Sequence, residues 1–115
     1  MSSVFSISTC TADKLLAHSE KRSDEWADAE SIYLEIKGDR EVWEASCKEA
    51  YRSHQGMSMN AAVNLLKTVP EWVDYYTKEM AALVTMNQAK RSYIRSEHAI
   101  DLYRTDSSTA RTLGR

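Results

Sequence analysis

The stretch YRSHQGMSMNAAVNLLKTVPEWVDYY, residues 51–76, decides the fold of this chain. It holds Gly56 and Pro70, the single proline of the sequence, with a short run of apolar residues between them. Glycine adopts the left-handed conformation that ends many helices, and proline suits the first turn of a new helix. Ser58 or Asn60 can cap a short helix that lies between these two positions. The stretch therefore predicts a corner at which a helical chain turns back on itself.

Helix is the default structure on both sides of the corner, because 115 residues contain only three Gly and one Pro. We predict two long antiparallel helices over residues 11–54 and 70–105, joined by a short helix near residues 58–68. Gly38 is the weak point of the first helix, since a glycine inside a helix costs about 1 kcal/mol relative to alanine. The apolar spacing stays in phase on both sides of Gly38, which favours one continuous helix.

The predicted fold is all-α: an elongated antiparallel helical hairpin with a short connecting helix. Residues 11–105 form a single helical domain in this interpretation, preceded by an N-terminal arm over residues 1–10. The polar C-terminal tail, residues 106–115, either continues the last helix or frays.

Both long helices carry an apolar stripe at 3–4 spacing, and on the first helix Ser19, Arg22 and Arg40 interrupt it. A layer of two helices is too thin to hide all the aromatic residues of both stripes. We therefore predict a homo-oligomer, most simply a dimer, that associates into a helical bundle. The two candidate contact faces are Trp26–Tyr33–Trp43 and Leu83–Tyr93–Ile100.

Aromatic residues are the main candidates for binding. Tryptophan and tyrosine combine a large apolar area with a polar group, which suits protein interfaces. Hairpin core and subunit contact are the favoured roles, and a groove for a partner protein is the alternative. The candidate interface residues are Trp26, Tyr33, Trp43, Trp72, Tyr76 and Tyr93.

Charge is unevenly distributed although the whole chain has a net charge of only −2. Residues 1–56 carry 7 basic against 11 acidic residues, whereas residues 80–115 carry 6 against 3. We expect acidic residues such as Asp24, Asp28 and Glu35 to neutralise part of the basic segment across the hairpin. The alternative is a strip that binds nucleic acid, formed by Lys90, Arg91, Arg95 and Arg104.

No pattern in the sequence indicates catalysis, so we expect a protein that is not an enzyme and needs no cofactor. His18, His54 and His98 are scattered, and Cys10 and Cys47 match no zinc spacing, which argues against a metal site. No segment approaches the roughly 20 apolar residues of a membrane span, and the N-terminus lacks the charge of a signal peptide. We therefore expect a cytoplasmic protein without membrane association.

Three segments, DEWADAESIY, PEWVDYYTKEM and IDLYRTDSSTARTL, carry a resemblance that covers roughly residues 24–113. In their order and spacing the chain resembles small all-helical bacteriophage and prophage proteins of unknown function, often encoded beside recombination and replication genes. The matching positions are Glu25, Trp26, Ala29, Glu30, Tyr33, Pro70, Leu102, Tyr103, Arg104 and Thr105, where Tyr103 replaces the usual tryptophan.

The resemblance implies a phage origin, residence in the cytoplasm of a host cell, and action by binding. The predicted partner is another protein, either a phage recombination or replication component or a host defence complex. A nucleic-acid-binding accessory role for the basic final helix is the alternative function. The family supplies no catalytic residues that transfer to this chain.

Overall fold

A computed structural model describes the backbone of residues 4–113 and the side chains of residues 11–106. Three helices make up the described chain: α1 (Val4–Gln55), α2 (Met59–Leu66) and α3 (Pro70–Leu113). The long helices α1 and α3 pack against each other, and the described residues contain no strand. The predicted all-α hairpin with a short connecting helix is therefore confirmed. Its association into a bundle stays a prediction.

The corner is built from the local signals that the sequence contains. Gly56 has a φ of 64°, in the left-handed region where a residue with a Cβ is strained. Ser58 caps α2, since its hydroxyl accepts a hydrogen bond from the Ala61 amide at 3.2 Å. Pro70 is the first residue of α3, where its missing N–H leaves no hydrogen bond unmade.

The outer ends of the long helices extend further than predicted. α1 begins at Val4, so the expected arm over residues 1–10 is helical from Val4 onward, and residues 1–3 lie outside the described chain. α3 continues through most of the predicted tail and ends at Leu113, and residues 114–115 lie outside the described chain. The physical reason is the same at both ends, because no Gly or Pro interrupts either segment.

The hairpin divides into two compact units. One contains the beginning of α1, up to Asp28, together with the end of α3 from Asn87 onward. The other contains residues 29–86, with all of α2 and the corner. Each unit is held by an aromatic contact between α1 and α3, described below.

Few side chains are fully buried in the described part of the chain. The buried apolar residues are Ala29, Ala62, Leu66 and Ile100, and the buried polar residues are Ser19, Glu79 and Ser96. α1 stays continuous through Gly38, as predicted, and its apolar stripe is half-buried against α3. A hairpin with so small a core leaves much apolar surface exposed to solvent.

Candidate functional site

A cluster of three charged side chains joins α1 to α3 in the unit formed by residues 29–86. The Arg40 guanidinium donates to both carboxylate oxygens of Glu79, through Nε to Oε2 and through Nη2 to Oε1 at 3.1 Å. Its Nη1 donates to Oε1 of Glu44, one helical turn further along α1, at 2.9 Å. The Glu79 side chain is only 5% exposed, and those of Arg40 and Glu44 are 19% and 16% exposed. This pairing raises the pKa of Arg40, chiefly through the hydrogen bonds that Arg40 donates to Glu79, so Arg40 keeps its charge.

Trp72 extends this cluster into the first turn of α3. Its indole Nε1 donates to the same Oε1 of Glu44 at 3.0 Å. Its ring stacks on Tyr76, one turn further along α3, with centroids 5.1 Å apart and an interplanar angle of 11°. Buried Trp usually finds a partner for its N–H, and here that partner also orients the ring. The stack is therefore fixed in place from the α1 side.

A cleft of about 390 Å³ opens where the three helices meet. Its aromatic wall is the Trp72–Tyr76 stack, and its polar wall is the charged cluster. The three-helix cleft is lined by Arg40, Glu44, Lys48, Val63, Lys67, Trp72, Tyr76, Glu79 and Met80.

The acidic side chains of the three-helix cleft are paired with Arg40, whereas its two lysines form no salt bridge within the described residues. Arg40 engages both acidic groups, Glu44 and Glu79, in hydrogen bonds. Within the described residues neither Lys48 nor Lys67 forms a salt bridge. The cleft thus combines an aromatic and apolar interior with two cations that are available to an acidic group.

An uncharged surface on α3 adjoins the three-helix cleft. Val73, Tyr76, Met80 and Val84 recur at helical spacing on one side of α3, and three of them are about half exposed: 50% for Val73, 45% for Tyr76 and 55% for Val84. The positions between them on that side carry no charge either. The outer face of α3, as we name this surface, consists of Val73, Tyr76, Thr77, Met80, Ala81 and Val84.

Three of the six candidate interface residues pack inside the hairpin. Trp26 lies against Tyr93, with ring centroids 5.5 Å apart, in the unit that contains both helix ends. Trp43 lies 5.1 Å from Tyr75, which was not among the candidates. Tyr33 is half-buried on α1. The remaining two, Trp72 and Tyr76, line the three-helix cleft.

The four residues of the candidate basic strip do not share one surface. Lys90 Nζ lies 5.9 Å from the centroid of the Trp26 ring, a cation–π contact, while Arg91, Arg95 and Arg104 are exposed. At about 100° per residue, Arg91 and Arg95 lie within about 40° of each other, but Arg104 is turned about 140° from Arg91. The helix geometry therefore separates the arginines onto two sides of α3.

The expected neutralisation of the basic segment does not take the form of ion pairs. Asp24 and Asp28 form none with Lys90, Arg91 or Arg95 among the described residues. Lys90 contacts an aromatic face instead, since the cation gains from the negative charge density above the ring.

Polar groups also pair in the unit that contains the beginning of α1 and the end of α3. Ser19 Oγ donates to Oε1 of Glu97 at 2.9 Å, so the serine that interrupts the apolar stripe has a partner on α3. A hydrogen bond with Glu97 also raises the pKa of Tyr93. Cys47, a free thiol on α1, has its pKa raised by burial and then by the charge of Glu71.

Sequence reasoning missed the roles of Arg40, Glu44 and Glu79. From the sequence, Arg40 is recognisable only as an interruption of the apolar stripe. One signal was available: an arginine on a buried stripe needs an acidic partner. Glu79 supplies it, but the sequence alone does not give the register that brings the two together.

Side chains that could hold a metal ion do not converge: the described residues include no group of three or more His, Cys, Asp or Glu at a suitable spacing. Nor does any helix in the described chain have the length and apolarity needed to cross a membrane. Comparison with protein-family models, curated proteins and solved structures finds no match to this chain.

Proposed function

We propose that this chain acts by binding another protein, which places an apolar side chain flanked by acidic residues in the three-helix cleft. The observation that supports this proposal is the Trp72–Tyr76 stack, held by Glu44 at the wall of an open cleft of about 390 Å³. Proteins bind one another through small numbers of aromatic anchors and the pockets beside them.

The interior of the cleft favours an apolar group from the partner. Val63 and Met80 lie in the lining with the aromatic stack, so a leucine or aromatic side chain would exchange water for apolar contact. Methionine adapts its shape to different ligands, which suits a cleft that must close around a side chain.

The rim of the cleft favours acidic groups beside that apolar side chain. Lys48 extends from α1, and Lys67 from the residue that directly follows α2. Neither lysine forms a salt bridge among the described residues. Opposite charge on a partner would accelerate the encounter and fix the orientation of the bound segment.

The charged wall prepares the cleft for binding. Arg40, Glu44 and Glu79 already satisfy one another, so a partner does not have to order them. Side chains that are fixed before binding lose less entropy in the complex.

The class of partner follows from the resemblance described above and stays a prediction: a phage recombination or replication component, or a host defence complex. The nucleic-acid alternative has less support, because the arginines of α3 lie on two sides of the helix and Lys90 contacts Trp26.

A quantitative pull-down tests the proposal. The wild-type chain, the variant Lys48→Glu/Lys67→Glu and the matched control Lys14→Glu/Lys21→Glu are used as baits in extracts of bacterial cells, with and without nuclease. We expect specific proteins that bind the wild type and the control equally and bind the cleft variant at least about tenfold less, since the cations now repel an acidic segment. The same proteins should bind after nuclease treatment.

Two results would contradict the proposal. Equal capture by the cleft variant and the control would show that the three-helix cleft is not the binding surface. Loss of all captured proteins on nuclease treatment would favour nucleic acid as the ligand.

A further inference from the structure

A second cleft adjoins the three-helix cleft, between α1 and α2. Its volume is about 370 Å³, and it shares Glu44 and Lys48 with the three-helix cleft. The other residues that line the second cleft, as we name it, are Glu41, Ala45, Glu49, Arg52 and Met59. Both clefts lie within the unit formed by residues 29–86, where they make one groove that is longer than either.

The groove follows one side of α2. Met59 lines the second cleft, whereas Val63 and Lys67 line the three-helix cleft. These residues recur at every fourth position, and Lys67 keeps helical backbone angles at the end of α2. They therefore lie along one side of the helix over about 12 Å.

The α1 side of the groove presents cations one helical turn apart. Ala45, Lys48 and Arg52 lie within about 60° of one another around α1, at about 100° per residue. Lys48 and Arg52 form no salt bridge with a described residue, and neither does Lys67 across the groove. The small Ala45 side chain leaves room beside these cations.

The carboxylates of the groove leave those three cations in excess. Glu44 and Glu79 are bonded to Arg40, and their side chains are only 16% and 5% exposed. The two exposed carboxylates are Glu41 and Glu49. Three cations against two exposed carboxylates favour an occupant with more acidic than basic side chains.

We infer that the partner presents an amphipathic, acidic helix, which lies along α2 and fills both clefts. One apolar side chain enters the three-helix cleft, and a second, two turns away, lies against Met59, which is 49% exposed. Two turns, from i to i+7, span about 10.5 Å, which matches the length of the groove along α2. The inference rests on the proposed function, because the first side chain is the one that the three-helix cleft binds.

A helix suits this groove better than an extended segment. An extended segment gains affinity from hydrogen bonds to the free edge of a sheet, and the described residues contain no strand. The α1 wall lies inside a long helix, whose backbone groups are bonded within it. A partner helix satisfies its own backbone and needs only side-chain anchors at helical spacing.

Synthetic peptides of about 15 residues test the inference, with binding to the full chain measured by fluorescence anisotropy. The first peptide is an alanine-based helix with leucines at i and i+7 and glutamates flanking them. The second has the same composition with leucines at i and i+5, about 140° apart around the helix. The third carries a central proline, which breaks the helix. We expect the first peptide to bind at least about tenfold more tightly than the others, since only it buries both leucines.

The variant Met59→Glu tests the second cleft. It removes an apolar contact and repels the glutamates of the peptide, while an acidic residue in the first turn of α2 favours that helix. Leu34→Glu is the matched control, because Leu34 is 54% exposed on α1 and lines neither cleft. We expect the first peptide to bind Met59→Glu at least about tenfold more weakly than the control. An unchanged circular dichroism spectrum shows that both variants are folded.

The inference is overturned if the first peptide does not bind the wild type, or if Met59→Glu binds it as tightly as the control. Equal binding of the proline peptide would show an extended occupant instead. The pull-down separates these failures from failure of the proposed function. Capture that Lys48→Glu/Lys67→Glu reduces and Met59→Glu leaves unchanged would keep the three-helix cleft as a binding site and remove the second cleft. Equal capture by Lys48→Glu/Lys67→Glu and its own control would remove both.

Discussion

Replacing Arg40 with methionine should destabilise the hairpin more than a change at any exposed charge. The substitution keeps much of the side-chain volume but leaves Glu79, whose side chain is 5% exposed, without its cation. Removing one partner of a buried ion pair typically costs about 3–5 kcal/mol, because the remaining charge stays desolvated and unpaired. Small domains are stable by only about 5–15 kcal/mol, so the loss is a large share of the total.

The double variant Arg40→Met/Glu79→Leu separates the contribution of the pair from that of its parts. With both charges gone, an apolar contact replaces the ion pair, and we expect the free energy of unfolding to return to within about 1 kcal/mol of the wild type. The coupling between the two positions should then be about 2 kcal/mol or more.

Urea unfolding followed by far-UV circular dichroism measures these differences. All variants are compared at one protein concentration, because the apparent stability of an associating protein depends on concentration. Arg22→Met is the matched control: it removes the more exposed Arg22–Glu25 pair and the hydrogen bond from Arg22 to His18, and should cost under about 1 kcal/mol. The reasoning is refuted if Arg40→Met costs no more than this control, or if the double variant is as unstable as the single one.

Two further predictions concern the backbone and the basic segment. Gly38→Ala should stabilise the chain by about 1 kcal/mol, since an added Cβ meets nothing within 4 Å and alanine favours helix. Gly56→Ala should destabilise the chain by about 1 kcal/mol or more, because a Cβ is strained at a φ of 64°. A lower melting temperature for Gly38→Ala than for Gly56→Ala would contradict both predictions. Replacing Arg91, Arg95 and Arg104 together with glutamine should leave the melting temperature unchanged. We also expect the wild type and this variant to behave alike with DNA, because neither should show binding that weakens as salt is added. Such binding, measured by fluorescence anisotropy at two salt concentrations, would instead support the nucleic-acid alternative.

The corner could be predicted from the sequence because its signals are local. Gly56, Ser58 and Pro70 each act on the backbone within one or two residues, and the structure places all three as expected. The helix ends were harder, since the polar N-terminal segment contains no residue that forbids helix.

The three-helix cleft could not be predicted, because it depends on which residues of α1 and α3 face each other. A difference of one residue separates Tyr75, which packs on Trp43, from Tyr76, which lines the cleft. The position of α2 adds Val63 and Lys67 to the same site. None of these relations is contained in the periodicity of a single helix.

Two of the three interruptions of the apolar stripe, Ser19 and Arg40, form hydrogen bonds between α1 and α3, one in each unit. Ser19 bonds to Glu97 in one unit, and Arg40 bonds to Glu79 in the other. A shift of one helical turn, about 5.4 Å, would bury each of these polar groups without its partner. Leucine at the same positions would tolerate such a shift, because apolar contacts are not directional. We therefore expect the polar pairs to select a single alignment. That alignment places Tyr76 and Met80 in the lining of the three-helix cleft and leaves Val73 and Val84 about half exposed to solvent.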